Sequence, residues 1–226
     1  MLSPKKIPFL PQAMSIEAGD LHIWQFNTQL QSNLLMDLSR YLSEEENQRS
    51  QFIKIQKKRQ QFIITRGKLR HILSLYLKLS PSQVKFAIGK HGKPYLINKN
   101  TLLEFNLSHS NNHLLIAITN NIPVGIDIQY MDTSKNIVKI AKRLFSIEEY
   151  EQVISIKNEE QKHVFYELWT QKEAIVKMLG KGVFHQISYI NSNKYPYFKQ
   201  LNPLLNYLGA VSTAKEIKSI HYYFVD

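Results

Sequence analysis

Hydrophobic and polar residues alternate with the period of a strand near the start of the chain and with the period of a helix soon after it. Residues 20–26 alternate strictly enough to predict a strand. Ser43 followed by three glutamates predicts a helix N-terminus, with the serine as cap and Glu46 at the capping-box position. The helical pattern then covers 45–79, with room for one break, and Ser80-Pro81 ends it.

Short strands and longer helices follow through the rest of the chain. The predicted strands cover 84–88, 105–107, 113–119, 124–130, 187–190 and 217–225, and the predicted helices 134–144, 147–156 and 160–179. Strand–helix–strand units in both halves predict an α+β fold of two similar α/β lobes, each a small, mainly antiparallel sheet packed with helices. The turn at 120–123 predicts a boundary between lobes of 1–120 and 121–226.

Composition narrows the class of protein. The chain of 226 residues is 43% hydrophobic, which is enough to fill a core and argues against disorder. It has no cysteine, which excludes disulfides, thiolate metal sites and a cysteine nucleophile. We found no apolar run of the roughly 18–20 residues that a membrane helix needs. Prolines interrupt the N-terminal stretch, so the sequence favours a cytoplasmic protein without a secretory signal or membrane segment.

The charge is basic and uneven. The net charge is +11; residues 1–120 hold 16 Lys and Arg against 7 Asp and Glu, and residues 121–226 hold 13 against 11. A basic balance is typical of proteins that bind nucleic acid, a membrane surface, a phosphorylated small molecule or an acidic protein, and also of a merely soluble basic surface. The distribution suggests that the first half holds an anion and the second a metal ion.

The helix around 59–76 carries arginines inside its apolar face. On a helical wheel Arg66 and Arg70 fall within the arc of the apolar side chains, whereas Lys68 falls on the predicted solvent side. A buried arginine needs an anionic partner, and a phosphate suits a guanidinium. Snorkelling at the edge of the face, or pairing with the few acids of this half, explains the pattern equally well.

Two later segments offer groups for a phosphate. Gly92-Lys93-Pro94 presents a basic residue in a stiff turn. Residues 106–110 form a strand end that presents Ser108 and His109 in a loop, where hydroxyl, imidazole and backbone N–H groups can contact phosphate. A serine hydrolase is a weaker interpretation, because adjacent strand residues face opposite sides and no G-x-S-x-G elbow is present.

Acidic residues recur in the second half. Asp127 stands between two isoleucines of a predicted strand, and Glu149 follows a Phe145-Ser146 pair at the start of a helix. Two carboxylates with phosphate oxygens and water make an octahedral Mg²⁺ site. Glu149 also has a purely structural interpretation, as the capping-box partner of Ser146.

The run from 169 to 177 reads W-x-x-K-E-A-x-x-K. On a helix Trp169, Glu173 and Lys177 lie four residues apart and share one face. By itself the Glu173–Lys177 spacing is an ordinary helix-stabilising pair. The acids upstream give it a functional interpretation as well.

Taken in order, these motifs resemble the 4′-phosphopantetheinyl transferases, most closely the surfactin-synthetase-activating type and its cyanobacterial members. The resemblance extends from about residue 20 to beyond Lys181. It rests on 22–24, 66–70, 92–94, 105–110, 125–127, 145–149 and 169–177.

The resemblance implies two lobes related by pseudo-two-fold symmetry and transfer of the phosphopantetheine arm of coenzyme A to a serine of an acyl, polyketide or peptidyl carrier protein. It implies Glu173 as the base, directly or through water, Lys177 beside the pyrophosphate, and Trp169 as a packing residue. It implies Mg²⁺ held by Asp127 and Glu149, with Gln129 at the position of a further metal ligand. The residues it implies for coenzyme A are Arg59, Arg66, Lys93, Pro94, Ser108, His109 and Lys177.

Position 129 departs from the family pattern, since many members carry a second acid there. Gln129 lies two residues after Asp127, so it shares that strand face, and its amide oxygen can still bind a hard cation. The site loses one negative charge, which predicts weaker Mg²⁺ binding with activity retained.

We expect a monomer that binds coenzyme A and acidic carrier proteins, which the basic surface attracts. A Mg²⁺-dependent nuclease or basic nucleic-acid-binding protein is the alternative, since Asp127 with Glu160 and Lys162 imitates a D…E-x-K pattern. Glu160 and Lys162 open a helix, however, and no aromatic-rich basic strand predicts base stacking, so we expect no nucleic-acid partner. An inactive relative that only binds carrier proteins is a third hypothesis.

Overall fold

The structure is a computed structural model that describes residues 4–7, 11–29, 32–98, 101–132, 134–180, 187–190 and 192–225. The helices of this part are α1 Ser32–Ser39, α2 Glu44–Phe52, α3 Gln56–Leu77, α4 Ile137–Leu144, α5 Ile147–Ile154 and α6 Asn158–Leu179. Its strands are β1 Lys5–Ile7, β2 Asp20–Asn27, β3 Phe86–Ile88, β4 Pro94–Leu96, β5 Leu103–Ser110, β6 His113–Asn120, β7 Val124–Tyr130, β8 Phe198–Leu201, β9 Tyr207–Thr213 and β10 Ser219–Val225.

The α+β class is confirmed, and two sheets lie at the centre of the molecule. The first has the strand order β1-β10-β2-β6-β5 and the second the order β7-β9-β8, while β3 and β4 form a separate hairpin. The second sheet is antiparallel throughout. The first is mixed, because β10 runs parallel to both β1 and β2. The last strand of the chain therefore lies in the sheet of the first lobe, while the boundary at residue 120 stays a prediction.

Apolar side chains bind four layers together. Trp24 and Phe26 of β2 pack against Leu69 and Leu73 of α3. On the opposite face of the same sheet, Leu21 and Ile23 pack with the apolar residues of β7 and β9. The other face of β7 contacts α6. Helix α3, the first sheet, the second sheet and α6 follow one another, and α3 and α6 are both 22 residues long, which fits two pseudo-symmetric lobes.

Helix ends follow the sequence signals. The predicted helix of 45–79 is two helices, α2 and α3, with the expected break between them. The capping box at Ser43 is present, since its hydroxyl accepts from the Glu46 N–H at 3.3 Å and its own N–H donates to the Glu46 carboxylate at 3.2 Å. Ser146 and Glu149 form the same reciprocal cap at the start of α5.

Three expectations were wrong. Ser108 and His109 were expected in a loop after a strand of 105–107, but β5 extends to Ser110. Residues 187–190 were predicted to be a strand, but Ile187–Tyr189 is a 3₁₀ turn. Ile187 and Ile190 both enter one apolar cluster, and a spacing of three puts them on one side of a turn, whereas a strand would separate them. Lys68 was expected on the solvent side but is 8% exposed, with its ammonium 4.8 Å from the Phe26 ring centroid.

The segments that the pattern did not predict include α1 and β9. Gly67 of α3 is crossed so closely by α1 that a Cβ there would lie 2.7 Å from the Leu38 Cβ. Strand β9 contains Gly209 and Ala210, which have low strand propensity. Within the described residues, no helix is both long and apolar enough to cross a membrane.

Candidate active site

The candidate site forms where β7 passes beneath α6. Residues of β7 alternate in direction: Ile126 and Ile128 enter the core between the sheets, whereas Gly125 and Asp127 face the helix. A Cβ on Gly125 would lie 2.0 Å from the Ala174 carbonyl oxygen and 2.3 Å from the Met178 nitrogen. Only a glycine allows this approach of helix and strand, which brings the side chains of α6 to Asp127.

Asp127 is the centre of the polar contacts and is only 1% exposed. Lys177 Nζ donates to Asp127 Oδ1 at 2.6 Å, and the Ser108 hydroxyl donates to the same oxygen at 2.7 Å. Gln129 Nε2 donates to Asp127 Oδ2 at 3.1 Å. Lys177 also donates to Ser108 Oγ at 2.9 Å. These residues, predicted from three separate motifs, converge on one carboxylate.

Glu173 lies one helical turn before Lys177 and is 5% exposed. Its pKa is raised to about 7, mainly by burial and also by the Asp127 charge, against the opposing effect of the Lys177 charge. Two buried carboxylates and the partly exposed Lys177 ammonium thus lie within electrostatic reach of one another. Such a group of oxygen donors suits a hard divalent cation, which would offset the repulsion between the two acids.

Side chains of β5 connect the two sheets at this point. Asn106 Oδ1 accepts from the Ile126 N–H at 2.9 Å, and Ser110 Oγ accepts from the Tyr130 N–H at 2.9 Å. Together with Ser108 they occupy alternate positions on one face of β5. They satisfy backbone groups on the side of β7 where none of the described strands pairs with it, so they fix β7 and Asp127 relative to the first sheet.

Glu149 binds a different partner from the one that the resemblance implied. Lys172 Nζ donates to its two carboxylate oxygens at 3.0 and 2.7 Å, and to the Ile190 carbonyl at 2.7 Å. Ser192 also donates to Glu149, at 3.2 Å. The Lys172 side chain is fully buried. The Glu149 carboxylate is therefore held by a lysine, while its backbone N–H and one oxygen complete the Ser146 cap.

A cavity of about 190 Å³ opens beside Lys177. Lys93 and Pro94 line it, together with His91, Gly92 and Gly180. Lys93 Nζ donates to the Val124 carbonyl at 2.9 Å and to the Met178 carbonyl at 3.2 Å, and burial lowers its pKa. Lys93 therefore reaches from the β3–β4 hairpin to the ends of β7 and α6.

His109 lies on the same strand as Ser108 and contacts α3. Gln61 Nε2 lies 3.3 Å from His109 Nδ1 and donates to the Asn111 carbonyl at 3.3 Å. Partial burial lowers the pKa of His109, and the Lys177 charge lowers it further, against the opposing effect of Asp127. His109 is thus within electrostatic reach of the Asp127 group.

The arginines of α3 bind other partners. Arg66 Nε lies 3.7 Å and Arg70 Nε 2.5 Å from the carboxylate of Glu46. Of the interpretations of these buried arginines, the structure supports pairing with one of the few acidic residues of the first half, Glu46. Arg59 donates to the carbonyls of Ile53 and Gln51 at 3.3 and 3.1 Å, which ties the end of α2 to the start of α3.

Trp169 is the first of the three residues, with Glu173 and Lys177, that share one face of α6. Its ring stacks on Phe165 at 5.9 Å between centroids and lies 6.5 Å from the Phe145 ring. It thereby fixes α6 against the Phe145 segment that precedes α5. The nuclease-like pair is remote from this site: Glu160 lies 13 residues before Glu173, or about 20 Å along the helix axis.

Sequence reasoning gave no role to Lys172 or Asn106. Both had a signal: Asn106 precedes Ser108 by two residues and so shares its strand face, and Lys172 precedes Glu173 in the helical run. Lys172 lies five residues before Lys177, so the two side chains point in different directions around the helix. This spacing indicates that Lys172 binds a carboxylate other than the partner of Lys177.

Comparisons with known proteins agree with the motifs. A family model described as "4'-phosphopantetheinyl transferase, N-terminal" matches residues 14–121. Another, described as "4'-phosphopantetheinyl transferase superfamily", matches residues 123–220. The two matches meet at the turn of 120–123.

Curated relatives extend over much of the chain. The 4'-phosphopantetheinyl transferase HetI of Nostoc sp. is 35% identical over 175 residues, which are 76% of this chain and 74% of the relative. A putative 4'-phosphopantetheinyl transferase of Synechocystis sp. is 35% identical over 161 residues, 69% of this chain and 65% of the relative. The 4'-phosphopantetheinyl transferase Sfp of Bacillus subtilis is 35% identical over 115 residues, 51% of this chain and 50% of the relative.

Proposed function

Because this chain belongs to the 4′-phosphopantetheinyl transferase superfamily, we propose that it transfers the 4′-phosphopantetheine group of coenzyme A to a serine of an apo carrier protein and releases adenosine 3′,5′-bisphosphate. The sequence resemblance, including that to cyanobacterial and surfactin-synthetase-activating members, is confirmed by these matches. The observation that carries the proposal is the convergence of Ser108, Glu173 and Lys177 around Asp127. The matches give no support to the nuclease alternative.

For the metal we propose Mg²⁺, which Asp127 and Glu173 would hold together with the Gln129 amide oxygen. Asp127 and Gln129 are the ligands that the sequence predicted. Glu149, the third predicted ligand, has both carboxylate oxygens on Lys172, so Glu173 takes its place in this proposal. When bound, the ion would polarise the pyrophosphate and neutralise the charge that develops on it.

For coenzyme A we propose the cleft beside β5 and the cavity lined by Lys93 and Pro94. Lys93, Pro94 and Lys177 line the cavity. Ser108, which accepts a hydrogen bond from Lys177, and His109 follow the lining residue Leu107 on β5. Arg66 is engaged with Glu46 and Arg59 with two carbonyls. To make the predicted contacts with the phosphates of coenzyme A, Arg66 must therefore release Glu46, and Arg59 must release the two carbonyls.

The reaction needs one proton removed and one phosphate stabilised. The serine oxygen of the carrier forms a bond to the phosphorus that bears pantetheine, and the bond from that phosphorus to the bridging oxygen breaks. Glu173 would accept the serine proton, directly or through water. Lys177 stabilises or protonates the phosphate that leaves with adenosine.

The decisive experiment incubates the protein with coenzyme A, Mg²⁺ and several apo carrier proteins of fatty-acid, polyketide and peptide synthases. Intact-mass spectrometry should show an attached phosphopantetheine. DNA and RNA in parallel incubations should stay intact. Unmodified carriers together with cleaved nucleic acid would overturn the proposal, and carriers that bind unmodified would favour an inactive relative.

Glu173→Gln separates catalysis from binding. The variant should lose turnover yet still bind coenzyme A, as calorimetry would measure. Glu149→Gln should leave the Mg²⁺ affinity, measured by calorimetry in the presence of coenzyme A, unchanged, whereas Glu173→Gln should weaken it. Weaker Mg²⁺ binding by Glu149→Gln together with unchanged binding by Glu173→Gln would make Glu149 the metal ligand.

The proposal includes acidic carrier proteins as protein partners, a monomer as the active form, the cytosol as the compartment and no nucleic-acid partner. Light scattering on the purified protein, with and without a carrier, measures the first two. A stable dimer that retains activity would contradict the monomer.

A further inference from the structure

Three metal-binding side chains meet on two neighbouring strands of the first sheet. Asp20 and His22 lie on β2 and His221 on β10, and their ligand atoms all lie within 4.8 Å of one another. The strands run parallel, with His221 in register with His22 and Ser219 with Asp20. Asp20 and His22 are two residues apart and so lie on the same face of the sheet.

The surrounding residues hold these ligands in place. His22 Nδ1 lies 2.7 Å from the Tyr76 hydroxyl oxygen, and Trp24 Nε1 donates to the same oxygen at 2.9 Å. His22 is only 5% exposed. With Nδ1 bonded to Tyr76, Nε2 is the nitrogen left for a cation, and such a second contact is typical of metal-binding histidines. The Ser219 hydroxyl orients the Asp20 carboxylate.

This cluster is separate from the candidate active site. His22 shares a sheet face with Trp24, which packs against α3. The opposite face of the sheet packs against β7, the strand of Asp127. No step of the transferase reaction uses Asp20, His22 or His221.

We propose that Asp20, His22 and His221 form a binding site for one divalent transition-metal ion, preferentially Zn²⁺. The bound ion ties β10 to β2. Two imidazole nitrogens and one carboxylate oxygen are a ligand set that Zn²⁺ accepts in tetrahedral sites. Ligand atoms of such a site lie about 3.4 Å apart, given bonds of about 2.1 Å. His221 is exposed, so its ring can close this gap, and the fourth position is open to water.

Zn²⁺ binding to untagged protein tests the site. Calorimetry is run with excess Mg²⁺, which occupies the all-oxygen site, and should give one equivalent of Zn²⁺. His221→Ala should weaken binding at least tenfold. The matched control is His163→Ala, which removes a histidine that lies 3.6 Å from a different carboxylate, that of Glu167; its Zn²⁺ binding should equal that of the wild type.

Thermal unfolding gives a second measurement. Zn²⁺ should raise the Tm of the wild type and of His163→Ala but not that of His221→Ala. Asp20→Asn, which keeps an oxygen for the Ser219 bond, serves if the histidine variant does not fold, and should also bind more weakly. Equal Zn²⁺ affinity in the wild type and both site variants, or loss of binding in Glu173→Gln instead, would overturn the proposal. The transferase assay has no bearing on this result.

Discussion

Lys172 and Lys177 of α6 each bind a carboxylate, but their surroundings give the two pairs different roles. Lys172 is fully buried with Glu149 and also donates to the Ile190 carbonyl. Lys177 is 19% exposed beside Asp127, so a substrate phosphate can reach it. At the residue scale, the first pair holds the structure together and the second is open to chemistry.

Replacing Lys172 with methionine should destabilise the protein strongly. The change leaves the Glu149 carboxylate partly buried without its cation, which costs about 3–5 kcal/mol for a broken buried pair. Urea unfolding measures it. Adding Glu149→Leu should recover part of the loss, because an apolar pair no longer holds an unpaired charge. Equal stability of Lys172→Met and the wild type would contradict a structural role.

Gln129→Glu should tighten Mg²⁺ binding. The added carboxylate replaces an amide that now donates to Asp127 at 3.1 Å, so it should lower stability without the ion and bind the ion more tightly. We expect the Mg²⁺ concentration for half-maximal activity to fall about tenfold. Gln48→Glu, the same charge change on the exposed surface of α2, is the control. No difference between the two variants would exclude position 129 from the metal site.

At the scale of elements, the active site depends on how closely α6 crosses β7. Gly125 lets the helix backbone contact the strand, and Asn106, Ser108 and Ser110 hold the same strand against β5. The strand is thus fixed from two sides. Asp127 on β7 meets Glu173 and Lys177 on α6 only in this arrangement.

Gly125→Ala should lower kcat strongly and the free energy of unfolding only moderately. The Cβ would overlap the Ala174 carbonyl oxygen, so α6 must shift, and a displacement of about 1 Å can cost a hundredfold in rate. We expect kcat to fall by that order, with about 1–3 kcal/mol of stability lost.

The comparison variant for this prediction is Gly67→Ala. It creates a similar overlap, with Leu38, where α1 crosses α3. It should lower stability by a similar amount, with a much smaller effect on the kcat of the folded fraction. Equal kcat losses in the two variants would show that general destabilisation explains both.

At the scale of the whole molecule, charge divides the chain into two halves, whereas the order of the strands joins them. The excess of basic residues lies in the first half, whereas the carboxylates of the site belong to β7 and α6. Strand β10, which follows β9 of the second sheet, lies between β1 and β2 of the first. The two halves therefore share one sheet, which holds the basic half and the catalytic half in a fixed relation.

The net charge of +11 should make carrier recognition sensitive to salt. For an acidic carrier protein, kcat/KM should fall several-fold as NaCl rises from low to physiological concentration, because surface charges are screened beyond about 8 Å. The KM for coenzyme A should change less, since partly buried charges such as Lys177 are screened less. Steady-state kinetics with each substrate varied in turn measures both; equal salt dependence would contradict steering of the carrier.

The sequence by itself determined the elements and the chemical groups. Local signals, such as the caps at Ser43 and Ser146 and the alternation of β2 and β7, act over a few residues and were readable directly. The motifs also identified Ser108, Asp127, Glu173 and Lys177, which the structure brings together. The family resemblance supplied the reaction, because no periodicity or spacing specifies a substrate.

Only the tertiary structure decided which partner each charged group binds. Glu149 and Lys172 are 23 residues apart, Arg66 and Glu46 belong to different helices, and Asp20 and His221 to opposite ends of the chain. Local pattern carries no information on such pairs, since folding over long separations sets their distances. For the same reason β9 and the turn at 187–190 were not foreseen: burial against distant residues, and not local propensity, determines their conformation.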